Sequence, residues 1–543
     1  MLRVAEDQGD TLLGVSEVVE RLGEIDITQS FDVTLEMVVA FVQQMKDTIV
    51  TVSAKGRQGQ SDLMALQLKG MNERESLLGN RLLGRAQAKL PSLEADWPNL
   101  IKQAISSANG VFDDSSSRHR EALEDQALAL ERVTCSKLSV LVGRAGTGKT
   151  SVLGALLSCE SLKKDGILLL APTGKARVKL SKSTQKDSMT IAQFLMLCKR
   201  YDTLRQRPLL EVTASEKYRK EKTIVIDESS MLNTEELYTV LDSLDLAHVQ
   251  RFILVGDPNQ LPPIGAGRPF ADLVSKLEID GADGRFGQAL GKLNVEVRSR
   301  TGDSQSDTLR LASWYTRELQ TVDADKVFGD LELGVEFNDL EICLWKNADE
   351  LRVRLLEQMQ KNLGLKHQND TAGFNKTLGM VSVRHSDVEF HNSDFSEYFQ
   401  ILSPVRNHHY GVGELNRWIQ GQFRGEQLRR AKKKLATVLG DEKIVLADKV
   451  IQIRNGYKDG WNLSSNRKND SIYLANGEIG TVARDKNGYL NVIFNGRPAQ
   501  SFGYNHRDFP MGTGDLELAY ALSVHKSQGS EFNIVLFVIP KKM

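Results

Sequence analysis

One stretch decides the fold: Leu141-Val142-Gly143-Arg144-Ala145-Gly146-Thr147-Gly148-Lys149-Thr150. It runs from an apolar strand into the pattern G-x-x-x-x-G-K-T, and Ser151–Leu157 continue it as a predicted helix. This order is that of the phosphate-binding loop, in which successive backbone N–H groups turn toward one centre. Lys149 would reach the β- and γ-phosphates of a nucleotide, and the Thr150 hydroxyl would bind Mg²⁺. The predicted nucleotide-binding residues are Gly143, Arg144, Ala145, Gly146, Thr147, Gly148, Lys149, Thr150 and Ser151.

The composition is that of a large globular protein. The 543 residues are 41% hydrophobic and 26% charged, which suits about three to four domains of ~100–200 residues each. The formal net charge is only −1. Any binding to nucleic acid must therefore come from local basic patches and not from a basic surface overall.

The cysteines argue against two kinds of stabilising site. The four cysteines are far apart and form no C-x-x-C pair: Cys135, Cys159, Cys198 and Cys343. This spacing argues against zinc and against a disulfide framework, and it suits a reducing cytoplasm. No apolar run approaches the ~18 residues that span a bilayer, and Met1–Asp10 lacks a signal-peptide core. We expect a cytoplasmic protein with no membrane segment.

The order of apolar runs predicts an α/β protein. Residues 1–117 look mainly helical, with apolar residues at helical spacing and no visible chemistry. Residues 118–335 alternate short β-branched runs with helical segments, as in a domain with buried parallel strands. The runs are Leu138–Val142, Gly166–Ala171, Thr223–Ile226 and Arg251–Val255. Ligands of such sheets bind at the carboxyl ends of the strands.

A second α/β region covers residues 336–440 and 512–543, and a different texture interrupts it. Residues 441–511 carry four tight-turn signals flanked by alternating apolar runs: Asn455-Gly456, Asn476-Gly477, Asn487-Gly488 and Asn495-Gly496. Such turns are typical of hairpins. The pattern predicts a small β-barrel inserted into the second α/β domain.

Two carboxylates follow the predicted strand Thr223–Ile226. They are Asp227 and Glu228, in Asp227-Glu228-Ser229-Ser230-Met231. In a sheet that also holds a phosphate loop, Asp227 can hold Mg²⁺ through water, and Glu228 can orient the attacking water and accept its proton. An isolated Asp-Glu pair is usually only solvated, but its place after a buried strand favours the catalytic interpretation.

The next strand ends in Gly256-Asp257-Pro258-Asn259-Gln260-Leu261-Pro262-Pro263. The neutral amide of Gln260 offers both a donor and an acceptor, so it can bond the γ-phosphate and respond to its loss. The same segment is also a proline-stiffened turn, which needs no ligand.

Together these segments resemble the helicases of superfamily 1, and most closely the RecD-like branch (exonuclease V alpha subunit). Further segments resemble that family in the same order along the chain: Ala171–Ala176, Val297-Arg298, Leu402–Arg406 with Leu415–Arg417, Tyr473–Gly480 and Tyr520–Phe532. The resemblance covers about residues 118–543. It implies two RecA-like P-loop NTPase motor domains, the second with an SH3-like β-barrel insertion.

The resemblance also implies roles for residues that the motifs alone do not assign. Arg298 would stabilise charge on the γ-phosphate, with Arg300 as the alternative two residues away. Gln126 would read adenine, and Gly529 and Glu531 would contact the nucleotide, Glu531 at the ribose. The implied DNA contacts are Pro172, Thr173, Gly174 and Lys175 in the first motor domain and His525, Lys526 and Ser527 in the second.

Two features depart from the family pattern. Thr190-Ile191-Ala192 stands where the family has Thr-Ile-His, so a polar contact is missing. The family's last motif, a Thr-Arg-Ala-type segment with a second γ-phosphate arginine, would lie beyond Lys541-Lys542-Met543. We therefore expect the chain to be a fragment of a longer protein; the alternative is impaired coupling.

The implied activity is that of an ATP-dependent DNA helicase or translocase that uses ATP and Mg²⁺ and moves along single-stranded DNA. The resemblance further implies 5′→3′ polarity, a role in recombination or repair, and a place in a larger complex. One alternative is a DNA-binding protein that holds nucleotide as a switch with little turnover. The other is the helicase portion of a larger relaxase or nuclease.

Overall fold

The computed structural model divides into two compact units. The first comprises Met1–Pro172, Leu180–Asp202 and Arg207–Ser304, and the second comprises Thr173–Lys179, Thr203–Gln206 and Gln305–Met543. The structure describes residues 1–24, 33–54, 63–108, 110–144, 146–211, 216–281, 286, 288–295, 306–315, 326–391, 396–465, 467–510 and 514–541. Among these residues, no helix combines the length and mean hydropathy that crossing a bilayer takes.

The N-terminal part of the first unit mixes helices with a small sheet. Its elements are α1 (Leu2–Asp7), β1 (Leu13–Gly14), α2 (Val15–Gly23), α3 (Leu35–Gln44), β2 (Ile49–Ala54), β3 (Leu63–Leu68), α4 (Lys69–Gln87) and α5 (Trp97–Ser107). The three strands form an antiparallel sheet in the order β1-β3-β2. The sequence predicted a mainly helical region and did not predict this sheet. The reason is that the pairing of strands separated in the chain is not visible in the pattern of adjacent residues.

The predicted boundary at residue 117 does not coincide with a break between the two units. Leu78, Leu82 and Ala86 of α4 are buried in the same apolar core as the central strands of the first unit. Arg85, from the same helix, donates to the backbone carbonyls of Leu246 at 2.8 Å and Val249 at 2.7 Å. The later part of the N-terminal region is therefore packed as a layer of the first unit.

The rest of the first unit is built on parallel strands. In chain order the elements are α6 (Ser117–Thr134), β4 (Leu138–Gly143), α7 (Lys149–Ser158), α8 (Glu160–Asp165), β5 (Ile167–Ala171), α9 (Gly174–Thr184), β6 (Met189–Thr190), α10 (Ile191–Leu197), β7 (Tyr201–Asp202), β8 (Arg207–Pro208), β9 (Thr223–Ile226), α11 (Thr234–Ser243), β10 (Arg251–Gly256), α12 (Pro269–Gly281) and β11 (Leu290–Leu293). Helix α9 begins among the residues assigned to the second unit.

The central sheet has the order β11-β4-β10-β9-β5-β6, and its neighbours are all parallel. The four strands predicted from the sequence are confirmed to within one residue at each end. Their side chains are almost all buried, as expected for a sheet covered on both faces. Gly256 pairs with Val142, and Leu254 pairs with Ile226, so the phosphate loop and Asp227 leave the sheet at one edge.

The second unit joins an α/β layer to an antiparallel sheet. Its elements are α13 (Asp307–Trp314), α14 (Lys326–Glu332), α15 (Ala348–Leu363), α16 (Thr371–Thr377), β12 (Met380–Val383), β13 (Val388–Phe390), β14 (Phe399–Ser403), α17 (Val412–Phe423), α18 (Gly425–Lys432), β15 (Lys449–Gln452), β16 (Gly456–Asn462), β17 (Arg467–Leu474), β18 (Ile479–Lys486), β19 (Tyr489–Phe494), β20 (Gln500–Tyr504), β21 (Leu516–Leu518), β22 (Ala521–Ser523), α19 (Val524–Ser527) and β23 (Ile534–Phe537). Strands β22, β14 and β23 form a parallel sheet in that order.

The predicted insertion is a seven-stranded antiparallel sheet with the order β17-β16-β20-β19-β18-β15-β21. It extends past the predicted end at residue 511, because β21 pairs with β15. Its assignment to the SH3-like class stays a prediction. Only two of the four Asn-Gly signals join paired neighbours: Asn487-Gly488 links β18 to β19, and Asn495-Gly496 links β19 to β20. At Asn487 and Gly488, φ is 54° and 77°, the left-handed values that a tight hairpin turn requires.

Candidate functional site

The phosphate loop begins at the buried end of β4 and ends in the first turn of α7. Gly146 and Gly148 have φ of 86° and 84°, a conformation that is readily open to glycine and strained for most other residues. The Thr147 hydroxyl donates to the Arg144 carbonyl at 2.9 Å. The two glycines therefore let the backbone turn, and the Thr147 hydroxyl stabilises the turn through its hydrogen bond within the loop. Ala145 lies outside the described residues.

Lys149 is folded onto the loop that it follows. Its Nζ donates to the carbonyls of Gly143 at 2.5 Å and Arg144 at 3.0 Å. The ammonium thus lies against the loop, where the phosphates of a nucleotide would be cradled. Thr150 and Ser151 follow in the first turn of α7, whose backbone N–H groups favour an anion.

Gln126, predicted to read adenine, is found under the phosphate loop. Its side chain is only 3% exposed, and its Nε2 donates to the Thr147 carbonyl at 3.0 Å. A Cβ on Gly148 would come within 2.4 Å of the same Nε2. In this structure the Gln126 amide is thus bonded to the phosphate loop itself, and its predicted contact with adenine stays a prediction. A buried amide finds its partner by packing, and the sequence cannot show which partner that is.

Asp227 and Glu228 leave β9 at the edge of the sheet that carries the phosphate loop. The Glu228 N–H donates to Asp227 Oδ1 at 2.9 Å. Glu228 has φ of 51°, a left-handed conformation that costs a non-glycine residue about 1–3 kcal/mol and is concentrated at functional sites. Its Oε2 is buried and has no hydrogen-bond partner among the described residues. The Glu228 carboxylate therefore has one oxygen whose capacity to accept a hydrogen bond is not used by the described residues.

Gln260 is joined to the same segment. Its Oε1 accepts a hydrogen bond from the Ser230 hydroxyl at 3.2 Å, two residues after Glu228. Gly256 permits this approach, because a Cβ there would lie 3.1 Å from the Ser230 amide nitrogen and 2.9 Å from the Phe270 ring. The segments after β9 and β10 are therefore held together at the predicted site. No role for Ser230 could be predicted from the sequence, since a lone serine in a turn carries no signal.

These residues fit a magnesium nucleotide. The loop supplies backbone N–H groups and the Lys149 ammonium for phosphates, and Thr150 and Asp227 supply the oxygen atoms that Mg²⁺ prefers. The unpaired Glu228 oxygen is the acceptor that an attacking water requires. The magnesium and catalytic roles of these residues stay predictions.

Asp125, which the sequence left without a role, connects the segment after β11 to the helix under the phosphate loop. Its two carboxylate oxygens accept from the Asn294 backbone N–H at 2.7 Å and the Asn294 side-chain amide at 3.0 Å. The Val295 N–H adds a third bond at 3.4 Å. Helix α6 lies close against β11, since a Cβ on Gly291 would meet the Ala129 carbonyl at 3.0 Å. Arg298 and its alternative Arg300 lie outside the described residues.

Replacing Asp125 with alanine is expected to lower kcat for ATP about 10- to 100-fold, the scale of small misplacements in a site, while KM changes less than about threefold. The reason is that Asp125 holds the backbone at Asn294 and Val295, which precede the predicted γ-phosphate arginine Arg298 by only four and three residues in the sequence. Asp125→Asn keeps one carbonyl acceptor and should be intermediate. Steady-state ATPase assays measure both constants, and Glu124→Ala is the matched control because Glu124 is exposed. A rise in KM with unchanged kcat would contradict this role.

The predicted DNA contacts fall in two places. Pro172 is the last residue of its segment in the first unit, and Thr173, Gly174 and Lys175 belong to the second. Each basic residue of the segment Thr173–Lys179 is paired with a carboxylate of the second unit. The pairs are Lys175 with Glu397 at 2.7 Å, Arg177 with Glu478 at 3.4 Å and Lys179 with Glu531 at 2.8 Å. The Gly174 N–H donates to the Asn476 carbonyl at 3.2 Å.

In this structure the Lys175 ammonium is engaged by Glu397, and its predicted contact with a DNA phosphate stays a prediction. Its side chain is 12% exposed, and its Nζ lies 4.6 Å from the centre of the Phe532 ring. Burial lowers the pKa of Lys175, and Glu397 opposes that shift. Glu531, predicted to bond the nucleotide ribose, is likewise held by Lys179. Ion pairs between residues far apart in the chain leave no local pattern, so the sequence could not predict them.

Replacing Glu397 with glutamine is expected to destabilise the second unit by about 1–3 kcal/mol, since it leaves a largely buried ammonium without its counterion. The double variant Lys175→Met/Glu397→Gln should recover part of that loss. Urea unfolding of the full chain measures both. Glu414→Gln removes an exposed ion pair with Arg417 and should change stability by less than about 0.5 kcal/mol. Equal destabilisation by the control would show that the burial of Lys175 does not matter.

His525, Lys526 and Ser527 form the short helix α19 directly after β22. The Ser523 hydroxyl caps this helix by accepting from the Lys526 N–H at 3.4 Å. Lys526 Nζ is 2.5 Å from Glu517 Oε2, and Gly529 follows with φ of 73°. The DNA and nucleotide roles of these residues stay predictions.

Comparison with known proteins agrees with this geometry. Residues 121–283 match the model of the AAA domain family. An uncharacterized protein of Methanocaldococcus jannaschii is 25% identical over 98% of this chain and 46% of its own length. The RecBCD enzyme subunit RecD of Mycolicibacterium smegmatis is 31% identical over 38% of this chain and 40% of its own. The ATP-dependent RecD2 DNA helicase of Deinococcus radiodurans is 24% identical over 91% of this chain and 56% of its own.

The parallel sheet, the phosphate loop and the AAA-domain match define the first unit as a P-loop nucleotide-binding domain of the AAA class. More particularly, the chain is similar to the RecD subunit and the RecD2 DNA helicase named above. The chain spans about half the length of the curated relatives it matches.

Proposed function

We propose that this chain hydrolyses ATP and couples the hydrolysis to movement along single-stranded DNA, as a helicase or translocase. One observation carries the proposal: the phosphate loop, the unpaired carboxylate of Glu228 and the amide of Gln260 stand at one edge of one parallel sheet. A nucleotide-binding domain with only a structural role has no need of a strained, unpaired carboxylate there. The RecD and RecD2 relatives support DNA as the partner.

Each residue has a distinct task in the proposed reaction. Lys149 leaves the carbonyls of its loop to bind the β- and γ-phosphates, and Glu228 orients the attacking water and accepts its proton. Gln260 bonds the γ-phosphate and responds to its loss. A bound Mg²⁺ supplies positive charge that neutralises the phosphate oxygens, with Thr150 and Asp227 as the residues to hold it. Arg298, or Arg300 in its place, stabilises the charge that develops on the γ-phosphate.

The finer features of the proposal come from the resemblance. They are 5′→3′ movement, a role in recombination or repair, a larger complex as partner and a cytoplasmic location. Single-stranded DNA would be held through the backbone near Thr173 and Gly174 and by His525, Lys526 and Ser527. Because such phosphate contacts release counterions, binding should weaken steeply with salt.

An ATPase assay with and without single-stranded DNA tests the proposal on the full chain. We expect hydrolysis that DNA stimulates. Duplexes with a 5′ or a 3′ single-stranded tail then report polarity, and unwinding of only the 5′-tailed substrate is the expected result. ATP binding without stimulated turnover would favour the alternative of a nucleotide-switched DNA-binding protein and would overturn the motor.

A further inference from the structure

A cluster of aromatic rings lies at the carboxyl end of β14, where the loop residues His408, His409 and Tyr410 meet Trp345, which precedes α15. His408 and Tyr410 are stacked, with ring centres 5.5 Å apart and planes 18° apart. His409 meets Tyr410 edge-on at 4.8 Å, and Trp345 lies 5.9 Å from Tyr410 on the other side. Three rings thus surround one tyrosine.

The base of this cluster is fixed and its outer part is exposed. Tyr410 and Trp345 pack against the apolar core of the second unit, whereas His408 and His409 are exposed. The Ser403 hydroxyl bonds the Tyr410 carbonyl at 3.0 Å. His408 has φ of 75°, a left-handed conformation that a histidine adopts at a cost. The loop therefore holds two imidazoles outward on a rigid aromatic base.

Cationic side chains stand beside the cluster. Ser403, the last residue of β14, pairs in register with Ser523, the last residue of β22, so the loop and helix α19 leave the sheet at the same edge. Arg406 of the loop and Lys526 of the helix contact the same carboxylate, Glu517, at 3.5 Å and 2.5 Å. Exposed rings next to cations are the combination by which proteins bind single strands, since bases stack on the rings and phosphates pair with the cations.

We propose that His408 and His409, supported by Tyr410, form a base-stacking subsite for single-stranded DNA. This inference rests on the proposed function and adds to it a place where bases, and not only phosphates, are held. Because every base has an aromatic face, the subsite would tolerate any sequence. The strand would pass from the rings to Lys526 and Arg406 along one edge of the β22-β14-β23 sheet.

The test compares ring removal with ring replacement in the full chain. Fluorescence anisotropy with a labelled oligothymidylate measures affinity at fixed salt. His408→Ala/His409→Ala is expected to bind about 5- to 20-fold more weakly, the scale of one or two lost stacks. His408→Phe/His409→Phe keeps the aromatic faces and should stay within about twofold of the unmodified chain. The matched control is His367→Ala/His385→Ala, which removes two exposed imidazoles elsewhere in the same unit and should have no effect.

A second measurement separates stacking from charge. The slope of log affinity against log salt should be unchanged in the alanine pair, because lost stacking releases no counterions, whereas Lys526→Ala should flatten it. Unchanged affinity in the alanine pair, or equal loss in the phenylalanine pair, would overturn the subsite and leave the proposed function standing. If the unmodified chain binds no single-stranded DNA at all, both fall together.

Discussion

Replacing Lys149 with alanine is expected to abolish ATP hydrolysis, lowering turnover by at least ~10³-fold, the upper range for loss of one electrostatic group. The ammonium lies against the phosphate loop, bonded to the Gly143 and Arg144 carbonyls. The next three residues of α7, 150–152, are threonine, serine and valine and carry no positive charge. Nucleotide affinity should fall as well, since the same charge attracts the phosphates before and during the reaction. A phosphate-release assay and binding of a fluorescent ATP analogue measure the two effects.

The control for this variant is Lys163→Ala. Lys163 is an exposed lysine of α8 that pairs with Glu160 at 2.7 Å. Its replacement removes the same positive charge from a residue that has no predicted role in nucleotide binding. We expect turnover within about twofold of the unmodified chain, as for most surface substitutions. Retention of more than a tenth of normal turnover in Lys149→Ala would show that the triphosphate is not hydrolysed at this loop, and the motor proposal would fail.

Replacing Glu228 with glutamine is expected to leave ATP binding within a few-fold while slowing hydrolysis at least ~10²-fold, the scale of losing a general base. Glutamine has the same shape as glutamate, so the left-handed turn at residue 228 and the Ser230–Gln260 contact can persist. The chain should be no less stable, because the exchange removes a carboxylate oxygen that is buried without a partner. Single-turnover hydrolysis together with equilibrium ATP binding separates chemistry from affinity.

Glu278→Gln is the matched control for this change. Glu278 is exposed and pairs with Lys292 at 2.7 Å, outside the predicted site. Normal turnover in Glu228→Gln would show that another residue is the general base. A loss of ATP affinity as large as the loss of turnover would show that Glu228 contributes to ATP binding and not specifically to the chemical step. The two variants are complementary: Lys149→Ala should lose affinity and rate, Glu228→Gln only rate.

The sequence could predict those structural features that depend on residues adjacent in the chain. The glycines at 146 and 148 permit left-handed turns, and an apolar run of four residues ends at Asp227. Both signals are local, so the strand ends and the phosphate loop follow from them with little help from the rest of the chain. The parallel sheet followed too, because buried parallel strands read as continuous apolar runs.

The order of strands in the antiparallel sheet of the second unit could not be predicted from such local signals. Asn487-Gly488 and Asn476-Gly477 carry the same signal in the sequence, yet only the former joins two paired strands. A dipeptide fixes the turn, but the order of strands depends on which apolar faces pack together across the whole sheet. The same holds for the N-terminal sheet, whose strands β2 and β3 pair within a region that the sequence predicted to be mainly helical.

The sequence by itself predicted a phosphate loop, two carboxylates directly after a buried strand, and an order of motifs that resembles the RecD-like helicases. Only the tertiary structure decided that Gln126 lies under the loop, that Lys175 is paired with Glu397, and that Asp125 holds the backbone 169 residues further along the chain. The physical reason is the separation along the chain of the residues that interact. Backbone preferences and the spacing of apolar residues are properties of adjacent residues, whereas a hydrogen bond or an ion pair between distant segments exists only once packing has brought those segments together.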